Sequence, residues 1–181
     1  MPPSYDEVVR FHGHSCPGLA IGYRMSCGAL HALQTARAVD EEIVAIVESD
    51  SCGADALQCV TGCTLGKGNL IVRDWGKLAY TLYSRISRQG VRVTFNRTAV
   101  PEGLRDDRDA FVRWILAAPD DIVLCIRPVT VAEPEPARIH DSVVCADCGE
   151  LVMETRARKY AGSFLCIPCA AQRSATQMPA P

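Results

Sequence analysis

Two stretches of the sequence gather side chains able to do chemistry. In FHGHSCPG (residues 11–18), His12, His14 and Cys16 occupy alternate positions just before Pro17-Gly18. If that segment is extended, alternate side chains point the same way and the ligand-type groups face one point. Pro17 and Gly18 would then launch a helix, whose N-terminal dipole favours a thiolate or a bound anion beside Cys16. His12 taken alone reads as a loop residue bonded to backbone, which leaves His14 with Cys16 as the candidate pair.

The second stretch is SDSCGADALQCVTGCTLGKGN (49–69). Asp55, Cys59 and Cys63 are spaced i, i+4, i+8, which lines a carboxylate and two sulfurs along one face of a continuous helix. Soft sulfur with imidazole suits zinc, iron or copper better than magnesium. The expected core site is therefore His14, Cys16 and Cys59, completed by Cys63 or Asp55, around a second transition metal. Cys52 precedes the helix, where a thiol can have a depressed pKa, and is the candidate nucleophile with Cys16. Lys67, between Gly66 and Gly68, could neutralise an anionic ligand. The glycine spacing departs from the phosphate-loop pattern G-x4-G-K-[ST], so no nucleotide loop is read here.

A third group is more specific. Cys145 and Cys148 form one C-x2-C pair, Cys166 and Cys169 a second, with seventeen residues between the pairs. Four thiolates saturate tetrahedral zinc and leave no open position, so this zinc is expected to be structural. A unit of roughly 30 residues buries too little apolar surface to fold alone, and the metal would supply the deficit. Arg156, Arg158, Lys159 and Arg173 give the module a basic character, read as a solvated face.

These groups must be held by the elements around them. The spacing predicts a helix over 18–39, a buried strand over 43–49 and a helix over 54–63. An antiparallel hairpin follows over 77–85 and 90–95, then a helix over 107–118 and a strand over 121–129. Cys27 and His31 share a helix face and read as core, as does Cys125 in the last strand. Strands and helices intermix with a hairpin, which predicts an α+β fold: a mixed sheet with packed helices, followed by a small zinc-ribbon or treble-clef-like module. The expected domains are a core at 1–130, a proline-bearing linker at 131–141, the zinc module at 142–173 and a disordered tail at 174–181.

The totals bound the function. The 181 residues carry 19 basic and 21 acidic side chains, a formal charge of −2, which argues against coating nucleic acid by bulk charge. No apolar run reaches the roughly 20 residues that span a bilayer, and the first residues lack a signal-peptide pattern. A cytoplasmic protein is expected. In that compartment ten cysteines point to metal or thiol chemistry rather than disulfides.

The run FHGHSCPGLAIGYR, then SDSCGADALQCVTGCTLGKGNL, then a hairpin ending GVRVTFN, resembles the FmdE family of formylmethanofuran dehydrogenase over nearly all of residues 1–130. The four-cysteine segment resembles a zinc-finger extension that some members carry. By that resemblance the core is α+β, forms a homodimer and holds its cysteines and histidine in a cleft. His14 and Cys16 fall on the family's first signature, and Cys52, Asp55, Cys59, Cys63 and Lys67 on its second. The resemblance also implies a link to molybdenum- or tungsten-dependent one-carbon chemistry within a larger oxidoreductase complex. The expectation is thus a metal-binding protein with a possible redox or thiol-dependent role. Two alternatives stay open: a non-enzymatic accessory protein that docks a partner, and a zinc-finger regulator that binds nucleic acid.

Overall fold

The β-branched run at Ile43–Val47 forms β1, the strand on which the sheet is built. β2 (Leu70–Val72) pairs with it in parallel on one side, and β3 (Ala79–Ser84) antiparallel on the other. The expected hairpin joins β3 to β4 (Gln89–Phe95), and β5 (Leu124–Val129) closes the far edge, giving the order β2-β1-β3-β4-β5. The protein is seen here as a computed structural model that describes residues 2–176. It divides into two compact units, 1–137 and 138–181.

Strand alternation decides what the helices meet. Ala45 and Val47 stand in register with Leu82 and Tyr80, and these with Val91 and Val93; together with Ile43 they join one buried cluster. Helix α2 (Pro17–Ala32) lies against β3, β4 and β5 and packs on α3 (Gly53–Thr61) and α4 (Arg108–Ala117). It ends earlier than the spacing predicts, at Ala32 with Leu33 as its cap, and Gln34 then takes a positive φ of 49°. Helix α4 keeps its expected bounds within one residue, capped by Asp107. A single helical turn, α5 (Asp120–Val123), precedes β5 where strand was expected.

Two elements were not foreseen. Helix α1 (Tyr5–His12) is started by a capping box in which the Ser4 and Glu7 side chains each satisfy the other's backbone, and Gly13 stops it in the left-handed region. Strand β2 is the other. Cys125 is also exposed rather than buried, because β5 is an edge strand whose outward face nothing covers among the described residues.

Over β1 the opposite sheet face is also closed. Val44, Ile46 and Glu48 are all buried, at 1%, 4% and 2% exposure. Residues 131–137, read from the sequence as the start of a linker, run along this face. Arg85 donates to the carbonyls of Pro134 and Glu135, and the Ala137 N–H donates to Glu41. Beneath them Arg92 donates two hydrogen bonds to Glu48, one of them at 2.8 Å.

The second unit holds two short hairpins, β6 (Ser142–Val144) with β7 (Leu151–Met153) and β8 (Arg158–Tyr160) with β9 (Ser163–Leu165). Helix α6 (Ile167–Thr176) ends it, so 174–176, expected in the tail, are helical, and the rest of that tail lies outside the described residues. The whole is an α+β fold with a zinc-ribbon-like module.

Candidate metal centres

In the small unit, the first cysteine pair sits on the tight turn between β6 and β7. Gly149 closes that turn with φ +75°, and its N–H bonds the Cys145 carbonyl. The second pair straddles the start of α6. The four sulfurs lie within 4.8 Å of one another, and Cys148 Sγ is 4.0 Å from Cys166 Sγ. Four sulfurs at the usual zinc distance stand about 3.8 Å apart at the corners of a tetrahedron, so the protein alone nearly builds the cage. Backbone N–H groups of Cys148 and then Cys166 pull the Cys145 thiol down to about 6, which favours the thiolate a metal requires. Arg173, expected on a free basic face, instead pairs with Asp147 at 2.7 Å and stacks over Tyr160, tying α6 to the first knuckle.

In the large unit, the ends of three helices converge. His12 closes α1, Cys16 caps the start of α2, and Cys52 precedes α3. One ligand atom from each of His12, His14, Cys16 and Cys52 lies within 4.8 Å of the others. The Cys16 sulfur accepts the Leu19 N–H at 3.3 Å, which holds it at the helix start. Cys52 is pushed above its ordinary thiol range by burial and then by the neighbouring Cys16.

His12 is the residue the sequence reading discounted. Its Nδ1 stands 2.7 Å from the Asp55 carboxylate, while Nε2 is buried with no hydrogen-bond partner. A buried ring nitrogen without a partner is costly unless something binds it. A carboxylate behind a histidine fixes its tautomer and aims the other nitrogen outward, the usual support of a metal-bound imidazole. The donor set therefore fits a transition metal. Asp55 belongs here as the support of His12, not as a member of the four.

The structure does not bring Cys59 and Cys63 to this group. Gly62 ends α3 in the left-handed region at φ 75°, so the expected helical face does not extend to Cys63. Cys63 is fully buried and donates to the Ile43 carbonyl at 3.4 Å, and burial raises the thiols of both Cys59 and Cys63. Lys67 is also elsewhere: its Nζ donates to the carbonyls of Val39 and Asp40, at 3.3 and 3.1 Å, and ties down a loop. The expected pair His14 and Cys16 does meet, with Cys52 beside it. The missed partner, His12, had a signal in His-Gly-His. Gly13 at φ 99° turns the chain so that both imidazoles approach, ring centroids 4.5 Å apart.

Comparison with known proteins agrees with this division. A family model described as FmdE, molybdenum formylmethanofuran dehydrogenase operon, matches residues 11–124. A model for the prokaryotic DksA/TraR C4-type zinc finger matches residues 140–175. A curated relative from Archaeoglobus fulgidus, named a probable S-adenosyl-L-methionine-binding protein, is 35% identical over 192 residues. That match covers 91% of this chain and 51% of the relative, so the chain spans about half the relative's length. A solved structure of a tungsten formylmethanofuran dehydrogenase FmdE-like protein from Syntrophus aciditrophicus is similar at TM-score 0.73 and 28% identity, covering 94% of each chain. No helix among the described residues is long and apolar enough to cross a membrane.

Proposed function

We infer the function from the family, for this chain belongs to the FmdE family: it is a metal-binding protein whose larger unit holds one transition-metal ion in addition to the zinc of its four-cysteine finger. His12 Nε2, Cys16 Sγ and Cys52 Sγ would hold the core ion, and His14 would be the fourth ligand. The observation that carries this reading is the buried, unpartnered His12 Nε2 with Asp55 behind it. Imidazole and thiolate together suit zinc, iron or copper. Because His14 is exposed, it is the ligand that can yield its place to a small molecule.

The ion would supply Lewis acidity toward a bound oxygen or sulfur group. The chain's own residues do the rest. Asp55 keeps the proton on His12 Nδ1 and fixes the ring. The Leu19 N–H holds the Cys16 sulfur at the start of α2, where the helix dipole favours negative charge. The family description and the name of the Syntrophus structure support a link to molybdenum- or tungsten-dependent formylmethanofuran dehydrogenase; a redox or thiol-dependent role in the cytoplasm, as a homodimer associated with that larger enzyme, is part of the proposal. The name of the Archaeoglobus relative adds S-adenosyl-L-methionine as a candidate ligand of the same core.

The test is elemental analysis of the full chain purified without chelator. Two metal equivalents are expected, and Asp55→Asn should weaken the core site by about 10–100-fold while sparing the zinc finger. One equivalent only, or a second that survives His12→Ala together with Cys52→Ala, would defeat the reading.

A further inference from the structure

Among the described residues, one other buried polar side-chain atom lacks a partner: the hydroxyl of Tyr80. Tyr80 lies on β3 and is completely buried. Its ring passes between the sheet and the helices, and its oxygen stands against Gly53, the residue after Cys52. A Cβ on Gly53 would overlap that oxygen. Glycine at 53 therefore leaves room for a phenol to reach the chain beside Cys52. A tyrosine hydroxyl buried in an apolar core usually finds an acceptor. Phenylalanine would place the same ring without the unmet group, leaving empty only the oxygen's own space beside Gly53, so ring packing does not account for the oxygen.

We propose that Tyr80 is a positioning residue of the core site, its hydroxyl donating a hydrogen bond to the Cys52 sulfur when that sulfur is a metal-bound thiolate. This rests on the core metal reading above. The hydroxyl has no partner in hydrogen-bond reach in this structure, so the Cys52 sulfur must close on it when an ion draws the ligands together. The bond would hold the sulfur toward His12 and Cys16 and draw charge from it, which sets how tightly and how softly Cys52 ligates.

The experiment uses the full chain with its zinc finger filled by zinc, titrated with cobalt(II) in wild type and Tyr80→Phe. The expected result is that Tyr80→Phe weakens cobalt binding at the core by about tenfold, as loss of a hydrogen bond to a charged group should, and shifts the thiolate-to-cobalt absorption band. Equal affinity and an unchanged band overturn the proposal while leaving the core site standing. Wild type that takes up no second metal overturns both. Should Tyr80→Phe not fold, wild type loaded with cadmium-113 decides instead. A tyrosine hydroxyl proton coupled to cadmium supports the bond, and a protected hydroxyl proton without coupling refutes it.

Discussion

Substituting Gly22 by alanine tests how the fold builds the core site. Gly22 is inside α2, and helix propensity alone favours alanine there by about 1 kcal/mol. The structure predicts the opposite sign. A Cβ at Gly22 would lie 2.6 Å from the Gly53 carbonyl oxygen and 2.9 Å from its carbonyl carbon. Both are about 1 Å inside normal contact. The obstructing atoms are backbone of the first residue of α3, so no side chain can swing away. Overpacking of this kind costs typically about 1–3 kcal/mol, and a rigid neighbour places it at the upper end. After the propensity gain, Gly22→Ala should destabilise by about 2 kcal/mol, lowering Tm by about 4–8 °C at this chain length. The helices can part only by moving Cys16 relative to Cys52, so affinity for the second metal equivalent should fall as well. Gly66→Ala is the control, since a Cβ there meets nothing within 4 Å. Scanning calorimetry and a competitive metal titration on both variants give the answer. A Gly22→Ala protein as stable as wild type, with the core metal affinity intact, would refute the claim that this helix crossing sets the ligand spacing.

Other substitutions separate the remaining assignments. Cys63→Ala and Cys59→Ala should each retain two metal equivalents, whereas Cys52→Ala should retain one; metal counting on purified protein checks this. Glu48 sits 2% exposed against Arg92, whose guanidinium holds the carboxyl below its ordinary range. A depressed carboxyl pKa adds stability that is complete above the unfolded value and lost as pH falls toward the folded one. Glu48→Gln should therefore cost about 3 kcal/mol at neutral pH, the low end for breaking a buried pair, and flatten the acid limb of a stability–pH profile below about pH 4.5. Cys148→Ser should release the finger zinc and collapse the amide dispersion of residues 142–173 in NMR spectra, while signals from 5–129 stay in place.

Much of the larger unit was legible because its elements obey local rules. The β-branched run at 43–47, the short turn between β3 and β4 and the Asp107 cap of α4 each announce themselves in the sequence. What escaped depends on partners distant in sequence. β2 has three residues, too few to show alternation, and becomes a strand only because β1 accepts it in parallel. Helix α1 is short, yet Ser4 and Glu7 carried the capping-box spacing that marks its start. The segment 131–137 offers no hydrophobic period, since it is held by Arg85 and Glu41 through its backbone rather than by its own side chains.

The candidate sites divide along the same line. The finger is local: two tight turns deliver four sulfurs, and C-x2-C spacing alone encodes each turn. The core site is not local, and a single turn defeats the spacing rule. The i, i+4, i+8 series assumed a helix running through Cys63, but Gly62 breaks it at φ 75°. His12, His14 and Cys16 did face one point, although not as a strand. His12 ends a helix, Gly13 reverses the chain and Cys16 starts the next helix. Period-two spacing thus picked out side chains that do converge, but by the wrong geometry. Cys52 enters only through the Gly22–Gly53 crossing, a backbone approach that no side-chain pattern reports. A histidine's worth as a ligand depends in turn on the carboxylate behind it, and Asp55 lies 43 residues away from His12. The convergence of the candidate core ligands is therefore encoded less by their own spacing than by the glycines that let helix ends meet.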